Sequence, residues 1–152
     1  MLLSEDLTNK IEFQGEDCDN WGIAEWLKYR FSGQINRLLP LLRLPGHNWR
    51  RRARDSWKGA QGCNLAAWRE NIVAINGFDE SFEGWGHEDA DFVIRLMHLG
   101  ISRKSGRFAA PILHMWHPEF SRDREDENKT LLSECLNNPD RVQAQLGYSQ
   151  YV

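Results

Sequence analysis

The sequence predicts an α/β fold in which an incomplete sheet is flanked by helices. Three observations lead there. Short apolar segments bounded by Gly and Pro alternate with runs of helical period along the second half of the chain. Only two or three of those segments read as strands, few for a self-sufficient sheet. The chain also opens directly into a helix, without the βαβ units that normally begin an α/β fold. Its 152 residues fit one domain, or a piece of one, and are enough to enclose a core.

Residues 4–13 predict a short helix with Ser4 as N-cap, because a Ser hydroxyl there accepts the free backbone N–H groups of the first turn. EWLKYRFSG is a second helix, closed by Gly33. INRLLPLLRLP is apolar but interrupted by Pro40 and Pro45, so a short helix and then an extended segment are expected. Residues 43–58, RLPGHNWRRRARDSWK, follow as a basic loop. GAQGCNLAAW, residues 59–68, mixes small and apolar types and predicts a short buried strand ending near Trp68. RENIVAINGFD gives a short helix stopped by Gly77. DADFVIRLMHLG sets Phe92, Val93, Leu96, Met97 and Leu99 on one broad apolar face of a helix that Gly100 closes. GRFAAPILHMWHPE, residues 106–119, predicts a strand ending in a turn at Pro118. Residues 121–138 predict a charged helix, and the tail after Pro139 a weaker one.

The bulk numbers bound the partners. A net charge of -3 argues against a nucleic-acid binder, with the basic run of 43–58 as the local exception; such a run meets phosphate, or is a solvated loop. Three scattered cysteines without a CxxC suit a reducing cytoplasm and exclude a disulfide framework or a cysteine-based zinc site. MLLSEDLTNK is no signal peptide, and no apolar run approaches the ~20 residues that span a bilayer. Seven tryptophans, several beside Gly, His or Asn, are material for pocket walls as well as for a core.

The chemistry concentrates in FEGWGHEDADF, residues 82–92. Glu88, Asp89 and Asp91 fall in the first turn of a helix, where the backbone dipole favours acids whatever their function. Gly84 and Gly86 bracket Trp85 in a sharp turn that presents this helix start outward. Crowded carboxylates repel, so one should hold its proton more tightly, which suits a general base; spacing alone does not choose between base and helix start. In HMWHP, His114 and His117 would face opposite sides of a strand, whereas in a turn both could approach one metal; two histidines do not complete a site. Asn64 of GCNLAAW could offer its amide to a hydroxyl-rich ligand, with Gly62 allowing close backbone approach. Asp17 and Asp19 form an Asp-x-Asp pattern, but no strand leads into it, and the pair reads as loop or cap acids rather than a metal site.

Taken in order, GCNLAAW, NGFDESFEGWGHEDADFVIRL and RFAAPILHMWHP resemble the C-terminal half of a family 2 glycosyltransferase, with the texture of bacterial enzymes whose C-terminal region is of galactosyltransferase type and which build cell-surface polysaccharides. The resemblance is tight over residues 59–118 and loose over 1–58. It implies a GT-A (nucleotide-diphospho-sugar transferase) fold and transfer of a sugar, with inversion, from a nucleotide-sugar such as a UDP-sugar to a glycan or lipid-linked acceptor hydroxyl. By the same resemblance Asp89 is the catalytic base and Glu88 orients the acceptor, which Asp91 helps to hold. Trp85 and Gly86 form the turn touching donor and acceptor, and Asn64 with Gly62 lines the donor-sugar side. His117, with His114 as a second ligand, binds a divalent cation, Mn2+ or Mg2+. The stretches become 1–58, a helical and basic-loop segment; 59–120, the catalytic core; and 121–152, a helical tail.

The family's N-terminal nucleotide-binding half and its Asp-x-Asp are not matched in this sequence, so the resemblance implies a fragment with weak or no transfer by itself, completed by an N-terminal partner or a homo-oligomer. The implied place is the cytoplasm, or its membrane's inner face as a peripheral protein. A carbohydrate-binding module built on the tryptophans and an interaction module are the rival readings.

Overall fold

The structure, a computed structural model, describes residues 1–46, 48–51 and 54–152. His47, Arg52 and Ala53, which belong to the predicted basic loop, lie outside the described residues. The chain divides into two units: Met1–His47 with Gly106–Pro118, and Asn48–Ser105 with Glu119–Val152.

The expected α/β architecture is overturned. Among the described residues there is no sheet, only two isolated bridges, Leu2 with His114 (parallel) and Leu3 with Ile35 (antiparallel). The structure is helical, and neither a GT-A portion nor an incomplete sheet describes it.

In the first unit, α1 (Glu5–Phe13) begins where Ser4 Oγ accepts the Leu7 N–H at 3.2 Å, as the sequence predicts. In α2 (Ile23–Phe31), the Glu25 carboxylate reaches back to the Gly22 N–H at 3.0 Å, and the helix runs out into Gly33 at φ +77°. Leu3, Leu7, Tyr29 and Ile35 form the core, with Trp21, Trp26, Leu113 and Met115 packed on it. Leu3 N–H donates to His114 O (3.0 Å), His114 N–H to Met1 O (2.7 Å) and Asn36 N–H to Leu2 O (3.2 Å). This pairing cannot lengthen. One stretch turns into α1 at Glu5, Gly33 ends the second, and Pro111 has no N–H to give to the third. The predicted strand of 106–119 is therefore a turn at Gly106–Ala110 followed by an extended run with one bridge.

In the second unit, the predicted strand of 59–68 is a short 3-10 turn, Gly62–Asn64, whose following Leu65 and Ala67 pack on the core without a strand partner. α3 (Arg69–Ala74) is stopped by Gly77 at φ +73°, whose N–H bonds Ile72 O at 2.9 Å. α4 (Glu88–His98) packs along α5 (Glu125–Asn137). Ile75, Phe92, Val93 and Leu96 make one cluster; Ala90, Ile94, Leu132 and Cys135 make another. Every residue from Ala90 to Leu96 is buried, so α4 is enclosed on all sides rather than along one face. Each large apolar side chain there contributes roughly 1.5–3 kcal/mol. Burial, and then the Asp91 carboxylate beside it, pushes the Cys135 thiol up to about 12.

The tail after Pro139 is irregular apart from a 3-10 turn at Tyr148–Tyr151. It is held instead by residues 76–80. Asn76 Nδ2 donates to Ala144 O (3.1 Å), Ser149 N–H to Asn76 Oδ1 (2.7 Å) and Glu80 N–H to Leu146 O (2.8 Å). Buried Asp79 accepts from Gln145 N–H (2.9 Å) and from Arg141 Nη2 (3.1 Å). Burial pushes its carboxyl up, but the N–H of Gln145 and the donors of Ser81 outweigh that and hold it below its ordinary value. Gly147 lies so close that a Cβ there would strike the Asn76 carbonyl.

Candidate functional site

The sharp turn before α4 forms as its glycines require. Gly84 stands at φ +74° and Gly86 at +103°, and His87, the N-cap residue, continues at φ +80°. A non-glycine residue in this region costs of order 1–3 kcal/mol and persists only where surrounding contacts hold it. Those contacts come from residues 121–128. Trp85 N–H donates to Ser121 O (3.2 Å), and Asn128 Nδ2 donates to Glu83 O (3.0 Å) and Trp85 O (3.3 Å). The Arg122 guanidinium lies over the Trp85 ring, 3.7 Å from its centroid.

The turn borders a cleft of about 260 Å³. Trp85, Gly86, Glu88 and Asp89 line it, all four expected from the sequence, and His87, Ala60 and Gln61 complete the wall. Asp89 is fixed from the opposite side, because Gly62 N–H donates to its Oδ2 at 2.9 Å. A Cβ on Gly62 would meet the Asp89 Cβ at 3.7 Å. Gly62 thus orients the acid. Asn64 lies in the same 3-10 turn, exposed, and is not part of the cleft wall.

Asp91 needs correcting. Expected to help hold an acceptor, it is fully buried, and its Oδ2 accepts from Arg95 Nε at 2.7 Å, with both side chains at 0% exposure. Arg95 Nη1 also donates to Ile75 O (2.6 Å) and Gly77 O (2.9 Å). An i, i+4 acid–Arg pair on an apolar helix was the sequence's signal for this. The acids therefore do not crowd one another: Glu88 and Asp89 face the cleft, and Asp91 serves the interior.

His114 and His117 lie in the first unit. Their Nε2 atoms stand 3.1 Å apart, and His117 Nδ1 pairs with Pro118 O at 3.0 Å. Two imidazole nitrogens at that spacing, one ring oriented through its other nitrogen by a carbonyl, fit part of a metal's ligand shell. Among the described residues no group of three or more His, Cys, Asp or Glu is placed to hold a metal ion.

Three residues of the site escaped the sequence. His87 occupies a position whose backbone calls for Gly, Gln61 sits in a stretch read as strand, and Arg122 is distant in sequence from the Trp it covers.

Residues 48–118 match the family described as the N-terminal domain of galactosyltransferase. This region is galactosyltransferase-like. It contains the whole cleft and both histidines of the pair, and a glycosyltransferase of this kind uses a nucleotide-sugar donor and an acceptor. No curated protein and no solved structure matches the chain. No described helix is long and apolar enough to cross a membrane.

Proposed function

We propose that the cleft before α4 is an acceptor site for sugar transfer, with Asp89 as the general base. The acceptor hydroxyl gives its proton to Asp89 as its oxygen bonds the anomeric carbon. The bond from that carbon to the diphosphate breaks on the opposite face, which inverts the centre and releases a nucleoside diphosphate. Glu88 hydrogen-bonds the acceptor and orients it. Trp85, which lines the cleft with Arg122 over its ring, would pack against a sugar ring. The donor is a UDP-sugar and the acceptor a glycan or lipid-linked glycan, in a bacterial cell-surface polysaccharide pathway. His114 and His117 would supply two imidazole ligands to a divalent cation, Mn2+ or Mg2+, whose charge when bound would oppose that of a phosphate group.

The observation that carries this reading is the placement of Asp89, lining an open cleft beside Trp85 while the Gly62 N–H fixes one carboxylate oxygen. Release of UDP from a panel of UDP-sugars, with Mn2+ and an oligosaccharide acceptor, tests it. Asp89→Asn should lower the rate by about 10²- to 10⁴-fold while sugar binding, read by Trp fluorescence, is retained. Turnover by Asp89→Asn at the unaltered rate would refute it, and sugar binding with no transfer by either protein even after an N-terminal nucleotide-binding half is supplied would favour the carbohydrate-binding module.

A further inference from the structure

The described residues of the basic run take no part in that cleft, yet Arg50, Arg54, Ser56 and Lys58 are tied down by hydrogen bonds. Within the second unit, Arg51, Arg54, Ser102, Arg103 and Lys104 line a separate cavity of about 330 Å³. Arg103 ties the run in place. Its Nη1 donates to Ser56 O (3.0 Å) and Lys58 O (2.7 Å), and its Nη2 to Gly59 O (3.2 Å). Its backbone N–H bonds Arg54 O and the Ser105 N–H bonds Arg50 O, both at 2.9 Å, while Arg50 Nε donates to Ser105 O at 2.7 Å. These bonds fix the part of the loop that carries Arg51 and Arg54 against the segment that carries Lys104.

The charges around the cavity are only weakly compensated. Among the described residues, Arg54 alone of the four cations has an ion pair, with Asp55 at 3.3 Å, and that pair is mostly exposed and therefore weak. Arg51 and Lys104 are exposed, and neither has a salt-bridge partner among the described residues. Holding four like charges around one concavity costs energy, and here a chain of net charge -3 does so. An anion entering the cavity reverses that cost. Guanidinium groups present paired N–H donors that match phosphoryl oxygens, and a Lys ammonium adds a point charge.

We propose that this cavity binds a diphosphate group. The inference goes beyond the transferase reading and does not need it, because binding is measured without turnover. The same anion is presented by a soluble nucleotide or by a lipid-borne diphosphate.

Calorimetric titration of the full chain with inorganic pyrophosphate tests the site. Saturable binding is expected, weakened by at least about tenfold in the Arg51→Ala/Lys104→Ala double variant and falling as salt rises. Both side chains are exposed and have no salt-bridge partner among the described residues, so the unfolding midpoint should stay unchanged. Arg30→Ala/Arg69→Ala, which removes equal charge at exposed positions elsewhere, should bind as the unaltered protein does. Co-sedimentation with phosphatidylcholine vesicles, with and without a long-chain polyprenyl diphosphate, then assigns the source. Retention by the diphosphate vesicles, lost in the double variant, makes the ligand lipid-borne; pyrophosphate binding without vesicle retention makes it soluble. Absence of saturable binding to pyrophosphate and vesicles alike, or equal weakening in the double variant and its control, would overturn the proposal.

Discussion

Within the first turn of α4, two aspartates two residues apart serve opposite ends. Asp89 lines an open cleft, held by one backbone N–H. Asp91, two residues on, is sealed against Arg95 with no exposure. The cleft turn is conformationally costly, with Gly84, Gly86 and His87 all at positive φ. The segment behind it is buried without interruption from Ala90 to Leu96. A fully enclosed helix is a rigid base, and strain can be kept at its exposed end because packing behind fixes where that end points. Stability and chemistry are thus separated by half a helical turn.

The largest expected effect breaks the buried half. Arg95→Ala leaves the Asp91 carboxylate uncompensated in the interior and removes the donor that ties α4 to the carbonyls of Ile75 and Gly77. It should cost about 3–5 kcal/mol in urea unfolding. The pair itself is imperfect, since Arg95 Nη2 finds no partner among the described residues. An Asp91→Leu/Arg95→Met double variant should therefore regain most of that loss.

A second effect concerns the clasp around Asp79. Its carboxyl lies below the ordinary value of 3.8 in the folded protein. Its contribution is accordingly complete above that value and is lost as the pH falls through the lower folded value. An acid titration followed by Tyr and Trp fluorescence should show the tail loosening below about pH 3.8, and Asp79→Asn should remove that pH-dependent component. Loosening that begins well above this window would assign the transition to other groups.

The smallest effect sharpens the strained half. His87→Gly relieves a left-handed backbone at a non-glycine residue and should raise stability by about 1 kcal/mol. A loss of stability instead would mean that the imidazole packing outweighs the backbone strain.

How far the sequence was legible follows the same division. Local signals read correctly: Ser4 capping α1, Gly33, Gly77 and Gly100 ending helices, and the apolar run of α4 are each decided within a few residues. The GWG turn and the cleft-facing Glu88 and Asp89 were legible for the same reason. Strands were not, because a strand needs a partner, and periodicity cannot tell an extended apolar segment with neighbours from one without. Residues 59–68 pack their Leu65 and Ala67 without pairing, and residues 112–115 pair for one bridge only. Asp91 was misread because the helix dipole explains an acid in the first turn whichever way it points, and only the position of Arg95 settles the direction. The role of NGFDE in gripping the tail was hidden because its partners lie more than sixty residues away.

The measurement that bears most directly on the separation of the two acids is equilibrium unfolding of Asp89→Asn beside Asp91→Asn, each paired with its rate of UDP release. Asp89→Asn should unfold within about 0.5 kcal/mol of the unaltered protein while transfer collapses, and Asp91→Asn should lose about 3 kcal/mol or more of stability. Equal destabilisation by the two substitutions, or full transfer by Asp89→Asn, would contradict the account.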